Sequence, residues 1–374
     1  MRIAKSLKVL AVAGFGVIYG VGAAGCQSFP HREMPASKAS IFDERTLPKT
    51  ASPAALPPVT ADSTLDCERA KTPIAKDYGN HHDASILEGN ATSKYDWYLF
   101  VSGKKRELGK GQLYGSNAPS HQDESWHLID AKYRVARHHG VDDSIKIGKN
   151  YFAFLEGKIF WTDLNLEDAS EKWKVVGSFP SGIDDVGAYF MEGHLHLFGE
   201  YGRFLDKPDG ISIAHYKATY NETKNVFENW ELVSTEQLNP NTRPNPSSNP
   251  DGVVWGVGDA SLAEIDSKFY MLIDMETMSL PYRVGLWVSE KIDSGYEFAG
   301  IVMEPEAGGD GWLNFRVQDA EFLIRDESIF VFANWLNVDG NIDGNPRAKS
   351  LRGKKSRTVG GYQCFVKPVS NAVQ

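Results

Sequence analysis

The sequence predicts an all-β chain whose folded part is a five-bladed β-propeller, preceded by a disordered N-terminal tether. One strand pattern recurs five times from residue 81 onward, and each copy opens at an aspartate. Helical signals are nearly absent, because no long stretch combines a 3.6-residue period with caps. Each copy runs from Asp through an apolar strand, turns at Gly or a polar pair, and continues into an aromatic-rich strand. In most copies a Trp then marks the last strand. Four short strands per copy at this spacing stack radially as propeller blades.

The first copy reads Asp83-Ala-Ser-Ile-Leu-Glu, then Tyr95-Asp-Trp-Tyr-Leu-Phe-Val and Gln112-Leu-Tyr-Gly-Ser, ending near Trp126. The second begins at Asp142-Asp143-Ser-Ile-Lys-Ile and closes with Trp173-Lys-Val-Val. Asp184-Asp185-Val-Gly-Ala-Tyr-Phe opens the third, which continues through His194-Leu-His-Leu-Phe-Gly-Glu200 to Trp230-Glu-Leu-Val. The fourth runs from Asp259-Ala-Ser-Leu-Ala-Glu through Phe269-Tyr-Met-Leu-Ile-Asp274 to Tyr296-Glu-Phe. The last starts at Asp319-Ala-Glu-Phe-Leu-Ile and reaches Gly361-Tyr-Gln-Cys-Phe-Val after a long excursion. Apolar alternation is imperfect, as expected for sheets covered on both faces.

Upstream of the repeats, Arg2, Lys5 and Lys8 precede the apolar run Val9–Val21, which is short for a bilayer span. The run ends in Ala23-Ala24-Gly25-Cys26, which resembles the lipobox of bacterial lipoproteins. That resemblance implies lipidation at Cys26, and Gln27 in place of Asp implies the outer membrane, on the periplasmic or cell-surface side. Residues 27–66 are rich in Pro, Ala, Ser and Thr without apolar periodicity, and read as a linker. The expected organisation is therefore a signal segment over 1–26, a linker over 27–66 and the propeller over 67–374. Cys67 and Cys364 remain as a pair, which an oxidising compartment allows to form a disulfide. Such a bond would clasp the start of the folded domain to its last strand and close the ring.

Of the 374 residues, 41 % are hydrophobic and 24 % charged, ordinary values for a soluble globular protein, and the formal net charge is −9. That balance argues against nucleic acid as the main partner, since phosphate binding needs a basic footprint. The chain shows no phosphate-cradling glycine loop, serine elbow, HExxH zinc motif or CxxC spacing. No cofactor is expected, although a carboxylate-rich propeller can hold a structural divalent cation such as calcium.

In a propeller the innermost strand of each blade lines the central channel. An Asp opening each such strand crowds carboxylates around one funnel, where some pKa values rise and others stay low. A general acid and a general base can then coexist, and glycosidic bond cleavage uses such a pair. An Asp at this position also caps turns, and Asp143 and Asp319 are the first candidates for that role.

The phrase Asp-x-Ser-Ile/Leu, followed by Lys-Phe/Tyr-Tyr and an aliphatic strand, resembles the blade opening of five-bladed propeller glycoside hydrolases of families 43 and 117. The ending Asn229-Trp230-Glu231-Leu232-Val233 is similar to theirs as well. The resemblance covers nearly everything from residue 80 onward and implies an exported hydrolase acting on an oligo- or polysaccharide. It implies Asp83 as the base that activates water and Asp185, or its neighbour Asp184, as the residue that tunes the acid. The family's fourth-blade glutamic acid is replaced, because that place reads Gly258-Asp259-Ala260-Ser261. Either Asp259 is the acid on a shorter side chain, or another residue donates the proton, or hydrolysis of this type is lost. The last case is a non-catalytic glycan-binding propeller. Glu321 shares a strand face with Asp319 and is a further candidate acid. His81 and His82 flank the proposed base, while Glu200 and Asp274 end second strands and are expected to face solvent.

Trp255, Trp312 and Trp335 lie near loops and are candidate sugar-stacking platforms, whereas Trp97 reads as core. The basic loop 347–357 would select anionic glycans if it covers the funnel mouth.

Overall fold

A computed structural model describes residues 59–75, 81–103, 111–201, 212–235, 237, 254–277, 283–305, 316–338 and 355–369. The signal segment with Cys26, the linker up to residue 58, Trp312 and basic-loop residues 347–354 lie outside the described residues. So do the side chains of His81, His82, Trp255 and Lys355–Arg357.

Twenty strands form five four-stranded antiparallel sheets among the described residues. The first blade is β2 (His81–Glu88), β3 (Trp97–Gly103), β4 (Gly111–Ser116) and β5 (His127–Tyr133). The second is β6 (Asp143–Ile147), β7 (Asn150–Leu155), β8 (Lys158–Thr162) and β9 (Lys174–Ser178). The third is β10 (Ile183–Met191), β11 (His194–Tyr201), β12 (Ser212–Asn221) and β13 (Val226–Ser234). The fourth is β14 (Val254–Ile265), β15 (Lys268–Thr277), β16 (Arg283–Ser289) and β17 (Glu297–Met303). The fifth orders β18 (Arg316–Arg325), β19 (Ser328–Val338) and β20 (Lys355–Pro368), with β1 (Ser63–Arg69) as its outer strand.

That last sheet differs from the simple repeat. Its fourth strand comes from the N-terminal end of the domain and begins at Ser63, inside the span read as linker. A ring of blades leaves two free edges unless the chain ends meet, so one end must lend a strand to the other. Cys67 stands directly opposite Cys364 in the β1–β20 ladder, and the two form a disulfide across 297 residues of sequence.

Both faces of the blades are packed, which accounts for the weak alternation in the sequence. Five apolar clusters fill the spaces between neighbouring blades. Tyr98, Tyr133 and Phe160 join the first and second, for example, and Leu99, Trp126 and Phe332 join the fifth back to the first.

The innermost strands β2, β6, β10, β14 and β18 touch in a closed ring, and polar groups stitch them together. Ser85 donates to Asp143 Oδ1 (3.1 Å) and contacts Ser144 Oγ, tying the first blade to the second. Asp143 Oδ2 accepts from Ala188 N (2.7 Å), tying the second to the third. Phe322 N donates to Ser261 Oγ (3.2 Å), tying the fourth to the fifth. Between the third and fourth the backbones meet directly: a Cβ at Gly187 would collide with Ala260 O, so only glycine fits.

The third blade carries a buried histidine pair facing the fourth. His196 Nδ1 and His215 Nε2 are 3.0 Å apart, and the His215 ring stacks on Phe198 at 4.3 Å between centroids. Burial holds His196 down at about 4 and His215 down at about 3.

Two outcomes follow from this packing. Reduction of the disulfide, or Cys67→Ser, lowers stability by on the order of 2–5 kcal/mol, read from melting with and without a thiol reductant. As pH falls below about 6.5, the unfolded histidines take up protons that the folded pair does not accept until about 4 and 3. Stability therefore falls across that window, by up to roughly 1.4 kcal/mol per pH unit for each histidine. The raised carboxylates described below pull the other way, so the diagnostic is the difference: His215→Gln flattens the acid slope of denaturant unfolding relative to wild type.

Candidate functional site

In four of the five blades the opening aspartate sits where its strand is interrupted, and only the second blade pairs without a break. Pairing with the second strand skips from His82 to Ala84, from Asp184 to Val186, from Gly258 to Ser261 and from Gln318 to Glu321. Each skip is a β-bulge containing the aspartate. Asp185, Asp259 and Asp319 adopt positive φ (40°, 50° and 51°). That conformation costs a non-glycine residue on the order of 1–3 kcal/mol, and it re-aims the side chain out of the ladder.

The bulges bring carboxylates together. Asp83, Asp259 and Asp319 each place an oxygen within 4.8 Å of the other two, a spacing that a divalent cation can bridge. Asp83, Asp185, Asp259 and Glu321 are half-buried, while Asp319 and Asp143 are buried. Asp319 accepts from Gln318 Nε2 (2.8 and 3.0 Å) and from Asn334 Nδ2 (3.0 Å).

Crowding and burial raise several of these acids. Desolvation lifts Asp259 well above the usual carboxylate range, and Asp319, Asp185 and Asp274 add to the effect. Desolvation likewise lifts Asp142, with Asp185, Asp83, Asp184 and Asp143 adding like charge. Asp142 Oδ2 has no hydrogen-bond partner among the described residues. Glu321 is raised by burial and by Asp143, against a hydrogen bond with Ser261. Burial pushes Asp143 up to about 7, although Ala188 N, Ser144 N and Ser85 hydrogen bonds favour its ionised form. The charged neighbours that act most strongly on Asp142 and Asp259 are other acids, which favours their protonated forms.

The sequence-derived residues divide accordingly. Asp83 and Asp259 converge, and Asp319 joins them. Asp185 acts on Asp259 through its charge. Glu321 feels the charge of Asp143 instead. Asp143 ties three inner strands, a structural role.

Trp335 is corrected from stacking platform to core. It is fully buried, with Tyr362 edge-on at 5.9 Å, the Arg69 guanidinium 4.9 Å over its ring, and Gly360 lacking a side chain where the indole lies. Glu200 and Asp274 are also corrected: both are 3 % exposed rather than solvent-facing. Asp142 was missed as a site residue, though the Asp142-Asp143 doublet signals it. Adjacent strand residues point to opposite faces, so one can stitch strands while the other faces its charged neighbours.

No protein-family model and no curated protein sequence matches the chain. Solved structures do. An α-L-arabinofuranosidase from Podospora anserina, crystallised with cellotriose, superposes with a TM-score of 0.52 at 12 % identity, over 82 % of this chain and 98 % of that one. The catalytic domain of a GH62 α-L-arabinofuranosidase from Coprinopsis cinerea gives 0.53 at 10 % identity, over 81 % and 98 %. A thermostable family-43 glycoside hydrolase gives 0.50 at 12 % identity, over 80 % and 97 %. At such identities the likeness is one of fold: the chain shares the five-bladed β-propeller architecture of these glycoside hydrolases.

Proposed function

We propose that the protein is a glycoside hydrolase whose funnel carboxylates cleave a glycosidic bond in an oligo- or polysaccharide. The observation that carries this reading is the convergence of Asp83, Asp259 and Asp319 within 4.8 Å, with Asp259 raised well above the ordinary carboxylate range. A carboxyl group kept protonated beside ionisable neighbours is the acid–base pairing that glycoside hydrolysis requires. Asp259 is the acid that gives its proton to the glycosidic oxygen as the bond to the anomeric carbon breaks. Asp83 is the base that takes a proton from the attacking water, and Asp185 helps keep Asp259 protonated through its charge. The bulge and positive φ at Asp259 support its assignment as the acid in place of the fourth-blade glutamic acid. Inverting pairs stand about 6.5–9.5 Å apart. With a sugar and its attacking water between them, Asp83 and Asp259 would have to stand farther apart than the 4.8 Å within which they lie here.

Export as an outer-membrane lipoprotein belongs to the same reading, supported by Ala23–Cys26 and Gln27 and by a disulfide suited to an oxidising compartment.

The purified domain is expected to hydrolyse members of a glycan panel that includes arabinofuranosides and xylosides. Asp83→Asn and Asp259→Asn each lower turnover by roughly 10²–10⁴-fold, measured as released reducing sugar. Glycan binding that survives both substitutions, with no turnover by wild type, establishes the non-catalytic binding propeller instead. The same trio favours a second reading, a cation that stabilises the fold. Under it, calcium raises the melting temperature and Asp319→Asn abolishes the shift, because a ligand of the folded state alone stabilises that state. Equal melting with calcium and with chelator removes that reading.

A further inference from the structure

We propose that Asp274 and Glu200 are positioning residues, each buckling the second strand of its own blade to the bulge of the next, and so fixing where Asp319 and Asp259 point. Four second strands place one residue opposite the residue that precedes a bulged aspartate. Ser102 stands opposite His82, Glu200 opposite Asp184, Asp274 opposite Gly258, and Asn334 opposite Gln318.

The reach of these side chains is forward, into the following blade. Asp274, in the fourth blade, accepts Asp319 N with both carboxylate oxygens at 3.1 Å. Glu200, in the third blade, lies against Gly258 at the root of the Asp259 bulge, where a Cβ on residue 258 would strike Glu200 Oε1. Ser102, in the first blade, does the same with a hydroxyl: its Oγ donates to Val141 O (3.0 Å) and accepts from Val141 N (2.9 Å), next to Asp142. Asn334 instead turns back onto Asp319 of its own blade (3.0 Å).

The chemistry of a bulge explains why an acid occupies the Asp274 place. The skip in the ladder deprives the bulged residue's N–H of its strand partner, and a buried N–H requires an acceptor. A carboxylate with two oxygens at equal distance supplies one that tolerates the unusual φ of Asp319. Buried acids are otherwise rare in a sheet interior, and these two recur at the same register position in adjacent blades. Asp274 also adds its negative charge to those acting on Asp259.

The consequence for turnover rests on the hydrolase reading, whereas the buckle does not. Hydrogen exchange read residue by residue tests it directly. Asp274→Ala removes the acceptor, whereas Asp274→Asn keeps one amide oxygen that still accepts the Asp319 N–H. In Asp274→Ala the Asp319 amide is expected to exchange at least roughly tenfold faster, and in Asp274→Asn by less, while the ladder amides of Phe330 and Val331 keep their rates. Turnover falls by about tenfold or more with KM little changed, since the acid cluster is displaced while the sugar-binding surface is not. Gly258→Ala, which pushes on Glu200 without removing any acid, produces the same kcat loss. Unchanged exchange at Asp319, or equal acceleration throughout the last blade, overturns the proposal for Asp274. Wild-type kcat in Gly258→Ala overturns it for Glu200. A wild-type protein without turnover on any glycan overturns the hydrolase reading alone, and the exchange rates then decide the buckle.

Discussion

The bulge that interrupts the innermost strands is the constraint on which the rest of the site depends. A regular strand would point alternate side chains into the spaces between blades, and the aspartates would have to be buried singly or replaced by apolar residues. Skipping the aspartate in the ladder frees it from that alternation and places it among its counterparts from other blades. The backbone conformation is unfavourable for Asp185, Asp259 and Asp319. It persists because neighbouring blades hold it on both sides, through hydrogen bonds, close backbone contact and apolar packing.

The ring is therefore both scaffold and electrostatic device. Ser85, Asp143, Ala188, Ser261 and Phe322 tie neighbouring inner strands to one another close to their leading aspartates. Closing the ring through β1 and the Cys67–Cys364 bond fixes the spacing of the first and fifth blades, from which Asp83 and Asp319 come. Like charges held that close cannot all ionise, and the fold supplies the energy that keeps them together. The geometry of this site is thus coupled to closure at the rim.

Much of the architecture could be read from the residues. Five Asp-led phrases located the five inner strands, and two cysteines far apart in sequence gave the clasp. The lending of β1 to the last blade was harder to see. Ser63–Arg69 follows a proline-rich stretch and belongs to no complete copy of the repeat, so nothing local marks it as a blade strand. The site was legible in its residue types but not in its sorting. Asp83 and Asp185 stood out by resemblance and Asp259 by standing where a glutamic acid was expected, yet Asp319 looked like a cap because its partners, Gln318, Asn334 and Asp274, are assembled from two blades. Trp335 misled for a related reason: it stands close before a long loop, but its ring turns inward under Tyr362 and Arg69. Periodicity reports which face a residue takes within a regular strand, and it fails where a bulge or a neighbouring blade reassigns that face.

The central claim is that a sugar is held and cut at the bulged aspartates. A crystal structure of the Asp259→Asn variant soaked with arabinoxylan oligosaccharides tests it most directly. The account predicts a glycosidic oxygen within hydrogen-bond reach of residue 259, with the Asp83 carboxylate separated from it and facing the anomeric carbon through a water. An oligosaccharide bound elsewhere on the propeller, with the Asp83, Asp259 and Asp319 positions still closed on one another, would contradict it.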